Sequence, residues 1–374
     1  MRELGTELDI VSLHRGNEEF DGLPVRCFEK WELFSLFYLL PYTLIFKWRK
    51  AGYILKAMLS RWPNDQMNLW ENLLGFGAAI VLHGELKQER YDVVHCAWAS
   101  APAACGWLTS ALSETPFTMG AHAYDVFEHG GDWLVREKVE RAMLVHSSTR
   151  SAADQLESMG AEGDVHVIYR GLNALPTQQL LRENRNPLRI VCVARLVEKK
   201  GFPWQVKIYR ALLDAGIDFE ARIVGTGPLF AEIEELLRVA GVQEHVTLLG
   251  RMSQEDALEQ LAWADVLFHT GVVAASGDRD GLPNVIPEAM ASGAIVVASP
   301  VSGVVEAIEH EKTGLLCSVE NAAAWVESCR NIQGNNALAN SLVVEARSWV
   351  ETHFVASMNT GSLLRSIRYK LNNR

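Results

Sequence analysis

A surplus of basic residues is missing from this chain. Its 35 Lys and Arg stand against 46 Asp and Glu, a formal net charge of −11 at pH 7. The electrostatic footprint of a nucleic-acid binder is lacking, and no nucleic-acid partner is expected. Cysteine is scarce, with six in 374 residues and no C-x-x-C pair. Cys96 and Cys192 lie in apolar runs (VVHCA, IVCVA), so buried free thiols in a reducing compartment are expected, not a disulfide framework or a zinc site. No basic start followed by an apolar stretch opens the chain, so no signal peptide is expected and the predicted location is cytoplasmic. Nor does any apolar run reach the roughly 18 residues that span a bilayer. The best candidate, residues 33–46, contains Pro41 and runs into Lys47, Trp48, Arg49 and Lys50. Short-period repeats and low-complexity segments are also lacking, which sets aside solenoids and disordered arrays.

What is present suffices for two cores: 374 residues, 48% of them hydrophobic. Short β-branched runs alternate with helical stretches, the pattern of βαβ units and parallel sheets. Strands are expected at 8–13, 91–98, 116–122 and 143–148 in the first half. In the second half they are expected at 189–194, 220–225, 245–250, 265–270, 294–299 and 314–318. Helices are expected between them, as at 201–215 and 228–240. Both halves read as doubly wound α/β domains. A polar stretch with Pro176 and Pro187 marks the boundary. The expected division is a first domain over 1–174, a linker over 175–187 and a second domain over 188–347. Residues 348–374 form a helix with a basic end that crosses back to the first domain. A Rossmann-like domain usually opens on a strand and a tight glycine turn. This chain opens instead on a helix end followed by LDIVSL, so that first strand and turn are expected to be absent, in a truncated or a reduced domain.

Four stretches carry candidate chemistry. Residues 276–293 (SGDRDGLPNVIPEAMASG) set Asp280 and Glu288 eight positions apart, with Gly281, Leu282, Pro283 and Asn284 between them. A glycine turn leading into a helix start exposes backbone N–H groups that suit phosphates and sugar hydroxyls, and Pro287 fits a first helical turn. Asp280 could accept hydrogen bonds from sugar hydroxyls and Glu288 could hold a ribose; the plainer alternative is an acidic loop capping a helix. Arg195 and Lys200 lie in RLVEKKG, directly after a strand. Two fixed cations at a strand's carboxyl end suit a diphosphate; a solvated basic loop is the alternative. Gly225 and Gly227 form a G-T-G turn, a weak signal alone. The third glycine and the ribose-binding acid of the dinucleotide fingerprint are lacking, which disfavours an NAD-dependent enzyme. His122 stands at a strand end, where a single His is structural by default. His95, His146 and His269 read as structural. Asp278-Arg279-Asp280 spells D-x-D but lies in the glycine loop, and no metal is expected.

Together these stretches resemble glycosyltransferase family 4, the retaining transferases of GT-B type, over nearly the whole chain from about Leu4. Asp280-x7-Glu288, followed by Ala289-Met290-Ala291-Ser292-Gly293, resembles the family's E-x7-E signature. Residues 303–308 and 310–316 look like its G-x-x-E-x-I and T-G-L-L segments, and 195–201 like its R-L-x-x-K-G phosphate site. The GDRDGLPN wording is similar to members of colanic-acid type that build bacterial exopolysaccharides. The resemblance implies two Rossmann-like domains facing a cleft. It implies transfer with retention, without metal or cofactor, from a nucleoside diphosphate sugar to a hydroxyl of a saccharide or lipid-linked acceptor. Arg195 and Lys200 would hold the diphosphate, Glu288 the ribose, and Asp280 would face the transferred sugar. The amides around Gly281 to Asn284, with the Gly225 and Gly227 turn, would lie at the donor, and His122 near the anomeric centre. Asp280 departs from the family's usual Glu by one methylene. The alternatives are an inactive transferase-like protein that still binds nucleotide and an epimerase of the same fold. Residues 33–46, with Trp31, Trp48, Arg49 and Lys50, could form an interfacial helix that approaches a lipid-linked acceptor at the inner face of the plasma membrane. A helix packed on the first domain's sheet is the plainer expectation.

Overall fold

The structure is a computed structural model. It describes residues 1–374 apart from 15, 64, 90, 161–164 and 374. Two compact units result: Met1–Ile168 with Thr360–Arg374, and Tyr169–Asn359.

In the first unit β1 (Ile10–Ser12), β2 (Glu19–Phe20) and β3 (Leu23–Cys27) form a small sheet in the order β1-β3-β2. Asp21 and Gly22 turn the β2–β3 hairpin, both at positive φ, as a two-residue turn between right-twisted strands demands. A second sheet is all parallel and runs in chain order: β4 (Val94–Cys96), β5 (Phe117–Gly120), β6 (Leu144–Ser147) and β7 (Val165–Val167). Among the described residues no strand pairing joins the two sheets. The helices are α1 (Leu36–Phe46), α2 (Trp48–Ser60), α3 (Gln66–Gln88), α4 (Ala101–Ser113), α5 (Tyr124–Phe127), α6 (Val135–Arg141) and α7 (Arg150–Ser158). Asp65 starts α3 by accepting the Asn68 N–H at 2.8 Å, a side-chain cap for an otherwise unpaired donor. Small residues let α3 and α4 touch backbone to backbone: a Cβ on Gly75 would stand 2.2 Å from the Ala101 carbonyl oxygen. Trp107, Leu108, Phe117 and Met119 fill the core beneath them.

In the second unit six parallel strands form one sheet: β8 (Leu188–Val193), β9 (Phe219–Val224), β10 (Val246–Gly250), β11 (Val266–His269), β12 (Ile295–Ala298) and β13 (Leu315–Leu316). Their order is β10-β9-β8-β11-β12-β13. Helices cover both faces: α8 (Phe202–Asp214), α9 (Phe230–Val239), α10 (Gln254–Trp263), α11 (Val285–Ser292), α12 (Val304–Ala307), α13 (Ala322–Gly334) and α14 (Asn336–His353). Alternation along β8 builds two cores. Ile190 and Cys192 join Phe202, Tyr209 and Trp325 on one face; Val191 joins Leu267, Ile286 and Met290 on the other. Each fully buried Val, Leu or Ile contributes about 1.5–3 kcal/mol.

The segment 175–187, expected as a linker, belongs to the second unit. Arg182 pairs with buried Asp265, Arg185 donates to the Ile332 carbonyl at 2.8 Å, and the Gln179 N–H donates to Ser292. The division falls instead between Ile168 and Tyr169. The return to the first unit starts at Thr360, within α15 (Ala356–Asn372), and not at Ser348. Helix α14 stays with the second unit because Leu342, Val343, Ala346 and Val350 are buried in its cores.

Candidate functional site

β8 and β11 are neighbours whose connections diverge, β8 leading to β9 on one side and β11 to β12 on the other. At such a switch point the loops beyond the strands' carboxyl ends separate and leave room for a ligand. Lys200 and Asp280 meet there, and Arg195 and Glu288 lie on the segments that follow β8 and β11. After β8 come Arg195 and a single 3-10 turn, Glu198–Lys200. Gly201 follows at φ 67°, where a Cβ would lie 1.9 Å from the Thr270 carbonyl oxygen of the loop after β11. Only glycine lets the two loops close so tightly. They are laced by Val272 N–H to the Lys199 carbonyl and by the Thr270 hydroxyl to the Lys200 carbonyl, at 2.9 and 3.0 Å.

Lys200 Nζ lies 2.6 Å from Asp280 Oδ2, and Lys199 Nζ lies 2.8 Å from Asp278 Oδ2. The His269 ring donates from Nε2 to Asp280 Oδ2 at 3.3 Å. Burial would raise the Asp280 pKa, but the His269 hydrogen bond and the Lys200 charge more than offset it and hold the carboxyl well below its usual range. Burial also lowers the His269 pKa, against the pull of Asp280, so this imidazole is neutral at pH 7. Its buried Nδ1 has no hydrogen-bond partner among the described residues. Gly271 makes room for the ring, since a Cβ there would stand 2.5 Å from Cε1. His269, read as structural from the sequence, is thus a direct partner of Asp280. It is the last residue of β11, a strand end eleven positions before Asp280, and that position was the available signal.

Arg195 is exposed, and its guanidinium makes no hydrogen bond or ion pair among the described residues. Glu288 lies in the first turn of α11, half-buried, and burial pushes its carboxyl pKa up. Between the two acids, Leu282 is buried in the core below and anchors the loop, while Gly281 and Pro283 are half-buried and Asn284 is exposed. Gly225 and Gly227 act through shape. A Cβ on Gly225 would stand 1.9 Å from the Ala194 carbonyl oxygen, and one on Gly227 would stand 2.3 Å from that of Leu196. With the Leu196 N–H donating to Thr226 at 3.0 Å, this turn props the loop that carries Arg195.

His122 belongs to the first unit. It follows β5, is buried, and accepts the Ser148 N–H at Nδ1 (3.1 Å), which leaves the proton on Nε2 when the ring is neutral. Asp125 Oδ1 accepts the His122 and Ala123 N–H groups, both at 3.0 Å, and fixes the loop. The His146 ring lies 5.3 Å from both His122 and His95. Burial and the neighbouring histidines push His95 down to about 4 and His146 well below its ordinary value. Nearby, a cavity of about 410 Å³ is lined by Asp65, Glu71, Ser100, Tyr124, Asp125 and Asp132, among others. Beneath it Lys138, fully buried, lies 2.7 Å from Asp132 and donates to the Ala99 and Ser100 carbonyls. The sequence reading missed this network, whose members come from α3, α5, α6 and the residues just before α4 and α6 and share no motif.

Two units, each with a parallel sheet flanked by helices, define the GT-B class of fold. Solved structures agree at the level of fold. The Anabaena protein Alr3699/HepE in complex with UDP matches with a TM-score of 0.65 at 19% identity, over 79% of this chain and 82% of that one. Sucrose-phosphate synthase from Thermosynechococcus elongatus matches with a TM-score of 0.66 at 21% identity, over 80% and 79%. The family model for Glycosyltransferase Family 4 matches residues 1–174, and that for Glycosyl transferases group 1 matches residues 187–335. The chain thus carries a Glycosyltransferase Family 4 domain in its first half and a Glycosyl transferases group 1 domain in its second. It is 34% identical to the amylovoran biosynthesis glycosyltransferase AmsK of Erwinia amylovora, over 54% of this chain and 50% of that protein. It is 33% identical to the putative colanic acid biosynthesis glycosyltransferase WcaL of Escherichia coli K12, over 48% and 46%. The chain spans about half the length of the curated relatives it matches.

Proposed function

We propose that this chain is a retaining glycosyltransferase that moves a sugar from a nucleoside diphosphate sugar to a hydroxyl of a saccharide or lipid-linked acceptor in bacterial exopolysaccharide assembly. What supports the reading is that exposed Arg195, the Lys200–Asp280 pair and half-buried Glu288 all lie on the segments that follow β8 and β11. Arg195 and Lys200 offset the charge of the diphosphate as it leaves, the task a cation would otherwise perform. Glu288 accepts from the ribose hydroxyls, and Asp280 from those of the transferred sugar. The amides of Gly281, Leu282 and Asn284 face the sugar and phosphates, with Pro283 shaping the turn. Gly225 and Gly227 support the Arg195 loop. His122, with its proton on Nε2, offers a donor to the sugar near the anomeric carbon. Retention follows a front-face path in which the departing phosphate takes the acceptor proton. No metal takes part. Cytoplasmic location and peripheral contact with the inner face of the plasma membrane complete the reading. The relatives' names, amylovoran and colanic acid biosynthesis, support the polymer class, and the UDP in the Anabaena complex supports a nucleotide donor.

Calorimetric titration of UDP, GDP and ADP into the protein and into Arg195→Ala tests the donor site. One nucleotide is expected to bind and to be lost in the variant. Binding of none, or equal binding by the variant, overturns it. The anomeric configuration of the product, read by NMR, then tests retention.

A further inference from the structure

We propose that α1, α2 and the neighbouring Trp62 form a docking surface for an anionic lipid bilayer, seated in the interface of one leaflet. This surface gives a place to the peripheral membrane contact of the proposed function and rests on that part of the reading; it lies wholly in the first unit, so its test is separate from that of the donor site. Helix α1 is apolar on every side, yet Thr43 alone of its eleven residues is buried. A helix of that kind normally lies inside a core or in lipid. One margin meets α3, where Leu33 and Leu36 close on Gly77. The rest is open: Phe37 is 91% exposed and Phe46 70%, followed by Leu59 at 78% and Trp62 at 91%. The expected packing of this segment on the sheet is therefore not what the structure shows.

Charge selects the occupant. Residues 33–63 hold five basic side chains (Lys47, Arg49, Lys50, Lys56 and Arg61) and no Asp or Glu, in a chain whose net charge is −11. Lys50 and Arg61 pair with Glu114 and Glu137 and Lys47 meets His83, while Arg49 and Lys56 make no ion pair among the described residues. A second copy docked by symmetry would set Arg49 and Lys56 against their equals, whereas phosphate headgroups would pair with them. Exposed aromatics interleaved with Lys and Arg are the chemistry of the membrane–water boundary. Length sets the depth. Eleven residues rise about 16 Å, roughly half of a hydrocarbon core of about 30 Å, so α1 can enter one leaflet and cannot cross. No helix among the described residues is long and apolar enough to cross a membrane.

The test uses the full chain floated with vesicles of phosphatidylcholine alone, or of phosphatidylcholine with about a third phosphatidylglycerol. The expected result is binding to the anionic vesicles that weakens with salt and is at least about tenfold weaker on neutral ones. Phe37→Ser with Phe46→Ser, and separately Arg49→Glu with Lys56→Glu, should each lower partitioning about tenfold or more while nucleotide titrations stay unchanged. Quenching of wild-type tryptophan fluorescence by lipids brominated in the acyl chain keeps the test independent of the variants' folding. Failure of the wild type to float with anionic vesicles overturns the proposal, as does flotation that both double variants retain. A vesicle-free dimer that the same substitutions dissolve also overturns it and assigns the surface to self-association. Loss of nucleotide binding without loss of flotation would strike the donor reading alone.

Discussion

Among the described residues, neither the Arg195 guanidinium nor the Glu288 carboxylate has a hydrogen-bond or ion-pair partner. The exposed guanidinium contributes nothing visible to packing, so Arg195→Ala should leave stability within about 0.5 kcal/mol. The same change should weaken nucleotide binding about 10- to 100-fold, the worth of a charge-assisted contact to phosphate. Calorimetry beside a urea melt separates the two. Glu288 carries the opposite sign on stability. Burial raises its pKa, so above the ordinary carboxylate range the fold bears an ionised group it disfavours, and below that range it does not. Glu288→Gln should therefore hold or raise stability at neutral pH and leave it unchanged in acid, while nucleotide affinity falls. A variant that loses stability at neutral pH would mean that Glu288 has a structural partner. Asp280 differs from both, since Lys200 and His269 already hold it.

At the scale of elements, glycines decide whether the site loops meet. Gly225→Ala would push a methyl group into the Ala194 carbonyl, and φ there is 139°. The expected cost is about 2 kcal/mol or more, with weaker nucleotide binding because the Arg195 loop shifts; a melt and a titration of the same variant read both. Two buried histidines, His95 of β4 and His146 of β6, give the first unit an acid sensitivity. His95 is neutral in the fold down to about pH 4 but protonates near 6.5 when unfolded, so stability is full above the higher value and is lost as pH falls between them. The loss should reach about 3 kcal/mol, and His95→Gln should flatten that limb of a stability–pH curve.

The strands of the second unit were legible because fully buried parallel strands read as unbroken β-branched runs between turn residues. Three residues of β7 gave too short a run, and β2 and β3 were missed although Asp21-Gly22 is a hairpin signal. The motif residues after β8 and β11 stood out through their spacing. The His269–Asp280 bond and the Lys138–Asp132 pair did not, because contacts between separate elements leave no local pattern. The segment 175–187 looked like a linker by its polarity, yet its arginines find buried partners.

On the scale of the whole molecule, the first unit is discontinuous and the second is not. Leu363 and Ile367 of α15 pack on Leu144, with Met1 and Ile168 alongside, and close the first unit's core. Leu363→Ala should cost about 2–4 kcal/mol in that unit, while nucleotide titration of the second unit stays unchanged below the melt. A single unchanged melting curve would show that this seam contributes nothing. The same seam sets an order of events during synthesis. Residues 169–359 can complete their core as soon as they emerge, whereas the unit that is translated first must wait for the final helix. A ribosome stalled shortly before Thr360 would therefore release a chain with a finished second unit and an unsealed apolar strip on the first, a recognition signal for chaperones and proteases.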